Sequence, residues 1–294
     1  MRAATGNRPA EREGARREVR SRRHRRALEL LIRLGIPFLV GGGHALRHYT
    51  GDVRGTKDLD VFVRRGDALA LLEGLAAGGF QTDLTFPHWL GKAEIEGDYI
   101  DVIYSSGNGL AEVDDQWFEH SRPATVLGVP VRLCPPEEII WSKAFIMERE
   151  RYDGADISHL IRACQGRLDW HRLVARFGSH WRVLLSHITL FGFIYPGEVG
   201  AIPHDVTIGL CRLLERDARR PPSDQRVCQG TLLSREQYLT DVSRWGYADG
   251  RIIPRGQLTP EEVAHWTAAI EVPKDREEKT EEPAGGGDAR SRGR

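Results

Sequence analysis

The chain has 294 residues, 40% of them hydrophobic and 29% charged, a composition that suits a soluble globular protein of one large or two modest domains with a sizeable core. Lys and Arg total 42 and Asp and Glu total 42, so overall charge selects neither a polyanion binder nor an acidic protein. No run of eighteen apolar residues is present to span a membrane, and no apolar segment with a small-residue cleavage site follows the arginine-rich start. Cys134, Cys164, Cys211 and Cys228 are scattered without a CxxC pair, which argues against a disulfide framework or zinc knuckle and for a reducing cytoplasm.

Residues 1–26 are crowded with arginine against only Glu11, Glu13 and Glu18, and are read as a basic, flexible arm. Ala27, Leu28, Leu30, Leu31 and Leu34 then recur at helical spacing, and Gly35 stands where a left-handed helix terminus is wanted. The apolar run Ile36 to Val40, the triplet Gly41-Gly42-Gly43 and the stretch His44 to Tyr49 read as strand, tight turn and helix. Leu59, Val61 and Val63 alternate with Asp58, Asp60 and Phe62, which makes a strand whose two carboxylates point to one side. A helix from Asp67 to Ala77 follows, then a hairpin of Trp89 to Ile95 and Tyr99 to Tyr104 about Glu96, Gly97 and Asp98. Val129 to Leu133 reads as a further strand, and Pro135-Pro136 opens a helix running from Glu137 toward Arg151.

From Leu168 the pattern turns helical, with amphipathic segments at Trp170 to Ile194 and Asp205 to Arg219, and with Ser234…Gln237 and Thr259-Pro260-Glu261-Glu262 as capping boxes. The expected class is α+β: a sheet-containing unit over residues 27–165, a mainly helical unit over 166–270, and a tail over 271–294 with too little to bury to be ordered.

Asp101 is a lone acid among the β-formers of Asp98-Tyr99-Ile100-Asp101-Val102-Ile103-Tyr104, an expensive placement unless something cationic accompanies it. With Asp58 and Asp60 it makes a set of hard oxygen donors of the kind Mg²⁺ prefers. Such a set suits a pair of divalent ions about 4 Å apart gripping the oxygens of a phosphate in transfer. Gly41, Gly42 and Gly43 at a strand-to-helix turn permit close backbone approach and leave N–H groups for an anion, with the helix dipole adding to them.

Val40-Gly41-Gly42-Gly43-His44-Ala45 followed by Thr56-Lys57-Asp58-Leu59-Asp60-Val61-Phe62-Val63, with a third acid in Ile100-Asp101-Val102, resembles the glycine turn and hydrophobic-Asp-x-Asp strand of the DNA polymerase beta superfamily of nucleotidyltransferases. The segment from Lys143-Ala144 through Arg149, Arg151, Asp153 and Asp156 is similar to the helix pattern of AbiEii-type toxins and related minimal nucleotidyltransferases. Where the superfamily usually has Gly-Ser in its glycine turn, this chain has Gly-Gly-Gly-His, which resembles the variant of AbiEii-like members. The resemblance covers roughly residues 30 to 165 and implies a mixed-sheet nucleotidyltransferase core with flanking helices. It implies metal-dependent transfer of a nucleoside monophosphate from a nucleoside triphosphate to a hydroxyl acceptor. Asp58, Asp60 and Asp101 would be catalytic and would hold Mg²⁺ or Mn²⁺. Gly41, Gly42, Gly43, Lys57, Lys143 and Arg149 would bind the nucleotide, with Arg149 or Arg151 pairing Asp153 or Asp156. It leaves the acceptor open between tRNA, as for a toxin with a partner antitoxin, and a small molecule; a catalytically inactive nucleotide-binding module is the further alternative.

Several residues carry a plainer reading beside the functional one. Lys57 and Arg54 serve equally well as solvated loop cations, and His44 as a packed helix residue. Trp89, Trp141, Trp170, Trp181 and Trp245 sit among apolar neighbours and read as core or interface. Arg16, Arg17, Arg20, Arg22, Arg23, Arg25 and Arg26 either hold RNA phosphates or only solubilise.

Overall fold

The computed structural model describes residues 8–51, 56–221 and 224–269. Its first element is one long helix, α1, Arg8–Leu34, whose stripe of Ala27, Leu28 and Leu31 is fully buried. The helix ends at Gly35 with φ +69, a left-handed conformation that costs glycine least. The boundary after residue 26 that composition gave to the arm falls inside α1. Arg20 and Arg23 both pair with Asp98, Arg23 also with Glu96, and His24 is buried. Those partners lie more than seventy residues on, out of reach of a reading by local charge. Residues 1–7 of the arm lie outside the described residues.

Seven strands, β1 (Leu39–Val40), β2 (Leu59–Phe62), β3 (Gln81–Phe86), β4 (Leu90–Ile95), β5 (Asp98–Ile103), β6 (Arg122–Val126) and β7 (Val129–Leu133), form one sheet in the order β3-β4-β5-β2-β1-β7-β6. β2 runs parallel to β5 and β1 to β7, and the remaining neighbours are antiparallel, so the sheet is mixed. Strand alternation puts Leu59, Val61, Ile100 and Val102 on a buried face and Asp60, Phe62, Asp101 and Ile103 on the other.

Helix α2 spans Gly42–Thr50 and α3 Ala68–Ala77. α3 lies against α1 through Gly74 and through Gly78 just past its end, where a Cβ would strike the side chains of Leu34 and Leu30 respectively. Glycine there permits the close helix-on-helix approach that seals this side of the core. α4 spans Asp115–Glu119, α5 Pro136–Lys143 and α6 Gly154–Ala163.

α5 stops at Lys143, short of Arg151. Met147 N donates to Leu233 O at 3.0 Å and Gln237 Nε2 to Met147 O at 3.1 Å, so a distant segment takes the backbone groups that a continuing helix would use. β3 and β6 carry no apolar alternation of the usual kind. Gln81 to Leu84 are exposed, and both strands lie at the sheet's edges, where one-sided packing leaves a weak sequence signal.

The second half is mainly helical, with α7 (Trp170–Phe177), α8 (Trp181–Ile194), α9 (His204–Ala218), α10 (Leu239–Ser243), α11 (Pro260–Ala268) and a short parallel pair, β8 (Val227–Cys228) with β9 (Ala248–Asp249). Gly178, φ +48, breaks the amphipathic stretch 170–194 into α7 and α8. The capping box at α11 forms: Glu262 N donates to Thr259 Oγ1 at 3.2 Å and Thr259 N to Glu262 Oε2 at 2.8 Å. Ser234 Oγ accepts from Gln237 N at 3.1 Å but opens a turn rather than a helix. Trp141, Trp170 and Trp181 are buried, whereas Trp245 is exposed. The hydrophobic core is continuous from Ala27 to Leu210 and passes through residue 165 without a break. Among the described residues no helix is long and apolar enough to cross a membrane. The tail, 271–294, lies outside the described residues.

Candidate active site

The parallel register of β2 and β5 sets Asp60 directly opposite Asp101, both on the face turned away from the core. Asp58 precedes the strand by one residue, and the Thr56 hydroxyl donates to its carbonyl oxygen at 2.9 Å. Burial, then the nearby Asp101 and Asp58 carboxylates, push Asp60 up to about 6, against the pull of Lys143 and Arg151. Asp101 is also pushed upward, by burial first and by Asp58, with Lys92 opposing. Lys92 Nζ stands 3.5 Å from Asp101 Oδ1, long for a charge-assisted hydrogen bond, and that buried oxygen has no well-placed donor among the described residues. Acids coupled in this way favour a bound cation.

The glycine triplet is built around these acids. Gly41 N donates to Asp60 O at 3.0 Å, which ties the turn to β2. A Cβ at Gly41 would run into the Phe62 ring, one at Gly42 into the Asp60 carboxylate, and one at Gly43 would lie 2.6 Å from Thr56 Cβ. Gly42 also has φ +51. The triplet is therefore required by the close approach of α2 to the acidic strand, beyond what an ordinary turn demands. Gly41 caps α2 without a side-chain hydrogen bond. The N–H groups of its first turn, from Gly42, Gly43 and His44, have no intrahelical acceptor and stand at the positive end of the helix.

Lys143, at the end of α5, reaches the site and is held by Asp153 Oδ2 at 2.5 Å and Asp156 Oδ2 at 3.0 Å. Arg151 Nε and Nη2 donate to Asp153 at 3.0 and 2.9 Å, and Arg151 acts electrostatically on Asp60. Arg149 is exposed in the turn bridged by Met147 and Tyr152, and no ion pair joins it to the three acids among the described residues. The turn is not helical, so helical spacing misplaces its arginines. Lys57 is exposed beside Asp58. His44 packs edge-on against His24 at 6.0 Å and is pushed down to about 4, by burial first, then by His24 and Arg47, as befits a packed neutral imidazole. Arg54 lies outside the described residues.

Among the described residues no group of three or more His, Cys, Asp or Glu is gathered so as to hold a metal ion. The donor set still fits an open Mg²⁺ or Mn²⁺ site. Mg²⁺ is commonly held by one or two carboxylates, with water and substrate phosphate completing its octahedron, and the orphaned Asp101 Oδ1 beside Asp60 offers hard oxygen at such a place.

Lys92 is the site residue that sequence reasoning missed. The signal was present: Glu96 and Gly97 make a two-residue turn with φ +50 and +82, and counting back from it pairs Ile95 with Asp98 and hence Lys92 with Asp101.

No protein-family model matches the chain, and no curated protein sequence does. Similar solved structures are the antibiotic-resistance factor ANT(2'')-Ia, with 20% identity over 58% of this chain and 97% of that one and a TM-score of 0.41; the lincosamide antibiotic adenylyltransferase LnuA in its lincomycin-bound form, with 14% identity over 45% and 90% and a TM-score of 0.35; and an antigenic nucleotidyltransferase-like protein from Paracoccidioides brasiliensis, with 18% identity over 58% and 90% and a TM-score of 0.32. Activity is a property of the site rather than of such fold-level likeness.

Proposed function

We propose that the chain is a metal-dependent nucleotidyltransferase, moving a nucleoside monophosphate from a nucleoside triphosphate to a hydroxyl acceptor with release of pyrophosphate. One observation carries this reading: Asp60 and Asp101 in register on parallel neighbours, with the glycine start of α2 pressed against the Asp60 carboxylate. Carboxylates and a bare helix N-terminus side by side suit a ligand that brings both cations and phosphate.

In the reaction, the acceptor oxygen forms a bond to the α-phosphorus, the bond from that phosphorus to the bridging oxygen breaks, and pyrophosphate departs with it. Asp58, Asp60 and Asp101 would hold Mg²⁺ or Mn²⁺, which when bound supplies positive charge for the phosphate oxygens. The N–H groups of Gly42 and Gly43 bind phosphate oxygen without a side chain between. Asp101, pushed upward by burial, takes the proton of the acceptor hydroxyl. Lys143 provides a point charge for the triphosphate on exchanging one of its two aspartate partners.

The test is transfer of label from an α-³²P nucleoside triphosphate to candidate acceptors in Mg²⁺, comparing the wild type with Asp60→Asn and Asp101→Asn. Label incorporated by the wild type and lost in both variants supports the reading. Equal labelling by all three sinks it.

A further inference from the structure

One row across three neighbouring strands reads Asp60 on β2, Asp101 on β5 and Lys92 on β4, each opposite the next. Asp83 on β3 continues the row beyond Lys92, so the lysine lies between two acids. Its ion pair is with Asp101, at 3.5 Å, while Asp83 Oδ2 accepts from the Thr85 hydroxyl at 2.8 Å. The ammonium thus leans toward the half-buried acid of the site and away from the exposed one.

We propose that Lys92 is the internal counter-ion of the site, its ammonium standing beside Asp101 Oδ1 where a divalent cation is to bind and giving way when that cation arrives. The inference rests on the metal-binding reading of Asp58, Asp60 and Asp101. Without a cation, these acids face one another in a half-buried setting, and Lys92 is the nearer of the two charges that relieve Asp101, Arg151 acting more weakly. The lysine side chain is 40% exposed, so its flexible stem can return the ammonium to water at small cost. At 3.5 Å the contact is long enough to be exchanged rather than locked. Two consequences follow: Lys92 stabilises the cation-free protein, and it weakens cation binding by the same linkage.

Mn²⁺ titration calorimetry, together with thermal melts in chelator, reads both consequences on the wild type, Lys92→Met, Lys92→Gln, Lys92→Arg and Asp60→Asn. Removing a unit charge several ångströms from a divalent ion in a water-screened site is expected to tighten the dissociation constant about fivefold in Lys92→Met and Lys92→Gln. The cation-free Tm of both falls. Lys92→Arg keeps the charge and is expected to keep the wild-type affinity or weaken it, which gives a reading even if the neutral variants do not fold. Affinity unchanged or weakened in the neutral variants, or tightened in Lys92→Arg, while Asp60→Asn abolishes binding, overturns the role of Lys92 and leaves the site reading intact. Absence of binding in the wild type and every variant overturns both.

Discussion

Asp60 pits stability against function on a single carboxyl group. Its value of about 6, against an ordinary 3.8, means that the fold favours the protonated form. The group therefore contributes stability that is fully present below the unfolded-state value and is lost as pH rises through about 6. Asp60→Asn removes that loss. In cation-free buffer at pH 8 it is expected to be more stable than the wild type by on the order of 1–3 kcal/mol, with the two converging near pH 4, and to transfer no nucleotide. Thermal melts of both proteins from pH 4 to 8 give the difference curve directly, and a difference that shrinks as pH rises contradicts the assignment. Gly42 makes the complementary point. An alanine Cβ would enter the Asp60 carboxylate at a backbone of φ +51, so Gly42→Ala is expected to cost about 2–3 kcal/mol and to lower transfer at least about a hundredfold. Gly66→Ala, whose Cβ meets nothing within 4 Å, is the neutral control in the same urea melts and transfer assay.

At the scale of elements, the turn between α5 and α6 shows how remote sequence shapes the site. Ser234 Oγ donates to Glu148 Oε2 at 2.5 Å, Arg235 N to Glu148 Oε1 at 3.2 Å, and Glu148 N to Arg151 O at 2.8 Å. This chain of contacts fixes the turn that carries Arg151 toward Asp153 and Asp60. Ser234→Ala is expected to cost about 1–2 kcal/mol and to raise KM for the nucleotide more than it lowers kcat, because Arg151 loses its support while the acids stay in place. Steady-state kinetics alongside urea melts check this; an unchanged KM with lowered stability assigns Ser234 to folding alone. The same contacts explain what was legible. β7 is readable to the residue from Val129 to Leu133, and β2 and α9 nearly so, because their burial patterns are local periodicities. The end of α5 is not, since the donor and acceptor that stop it belong to residues 233 and 237. The Asp-x-Asp strand and its distal partner could be found from alternation and from an acid set between the β-formers Ile100 and Val102. The Arg151–Asp153 pair is one that the resemblance implies, whereas the non-helical turn that forms it and the place of Lys92 depend on remote contacts and on hairpin register.

For the molecule as a whole, the change of pattern near residue 165 invites a domain boundary, and burial decides what a cut there would do. Glu137 and Glu138 of α5 are 2% and 0% exposed. They pair with Arg172 and Arg176 of α7, and Asp169 N donates to Glu137 Oε1 at 2.7 Å. Arg176 also binds Asp114, at 2.6 and 2.8 Å, so three acids of the first half depend on two arginines of the second. The formal neutrality of the sequence conceals this, since it counts charges without placing them. Breaking a buried ion pair by removing one partner costs about 3–5 kcal/mol, which is comparable with the whole stability of a small domain, and the shared core from Ala27 to Leu210 would be opened as well. A fragment of residues 1–165 is therefore expected to show no cooperative thermal transition and no near-ultraviolet circular dichroism. A fragment of residues 1–219 retains both arginines and is expected to melt cooperatively, below the full chain because the Ser234 contacts to Glu148 are gone. Cooperative melting by the shorter fragment would make residue 165 a true domain limit; its collapse beside a folded longer fragment would show that the acids on β2 and β5 are held in register by helices from the far half of the chain.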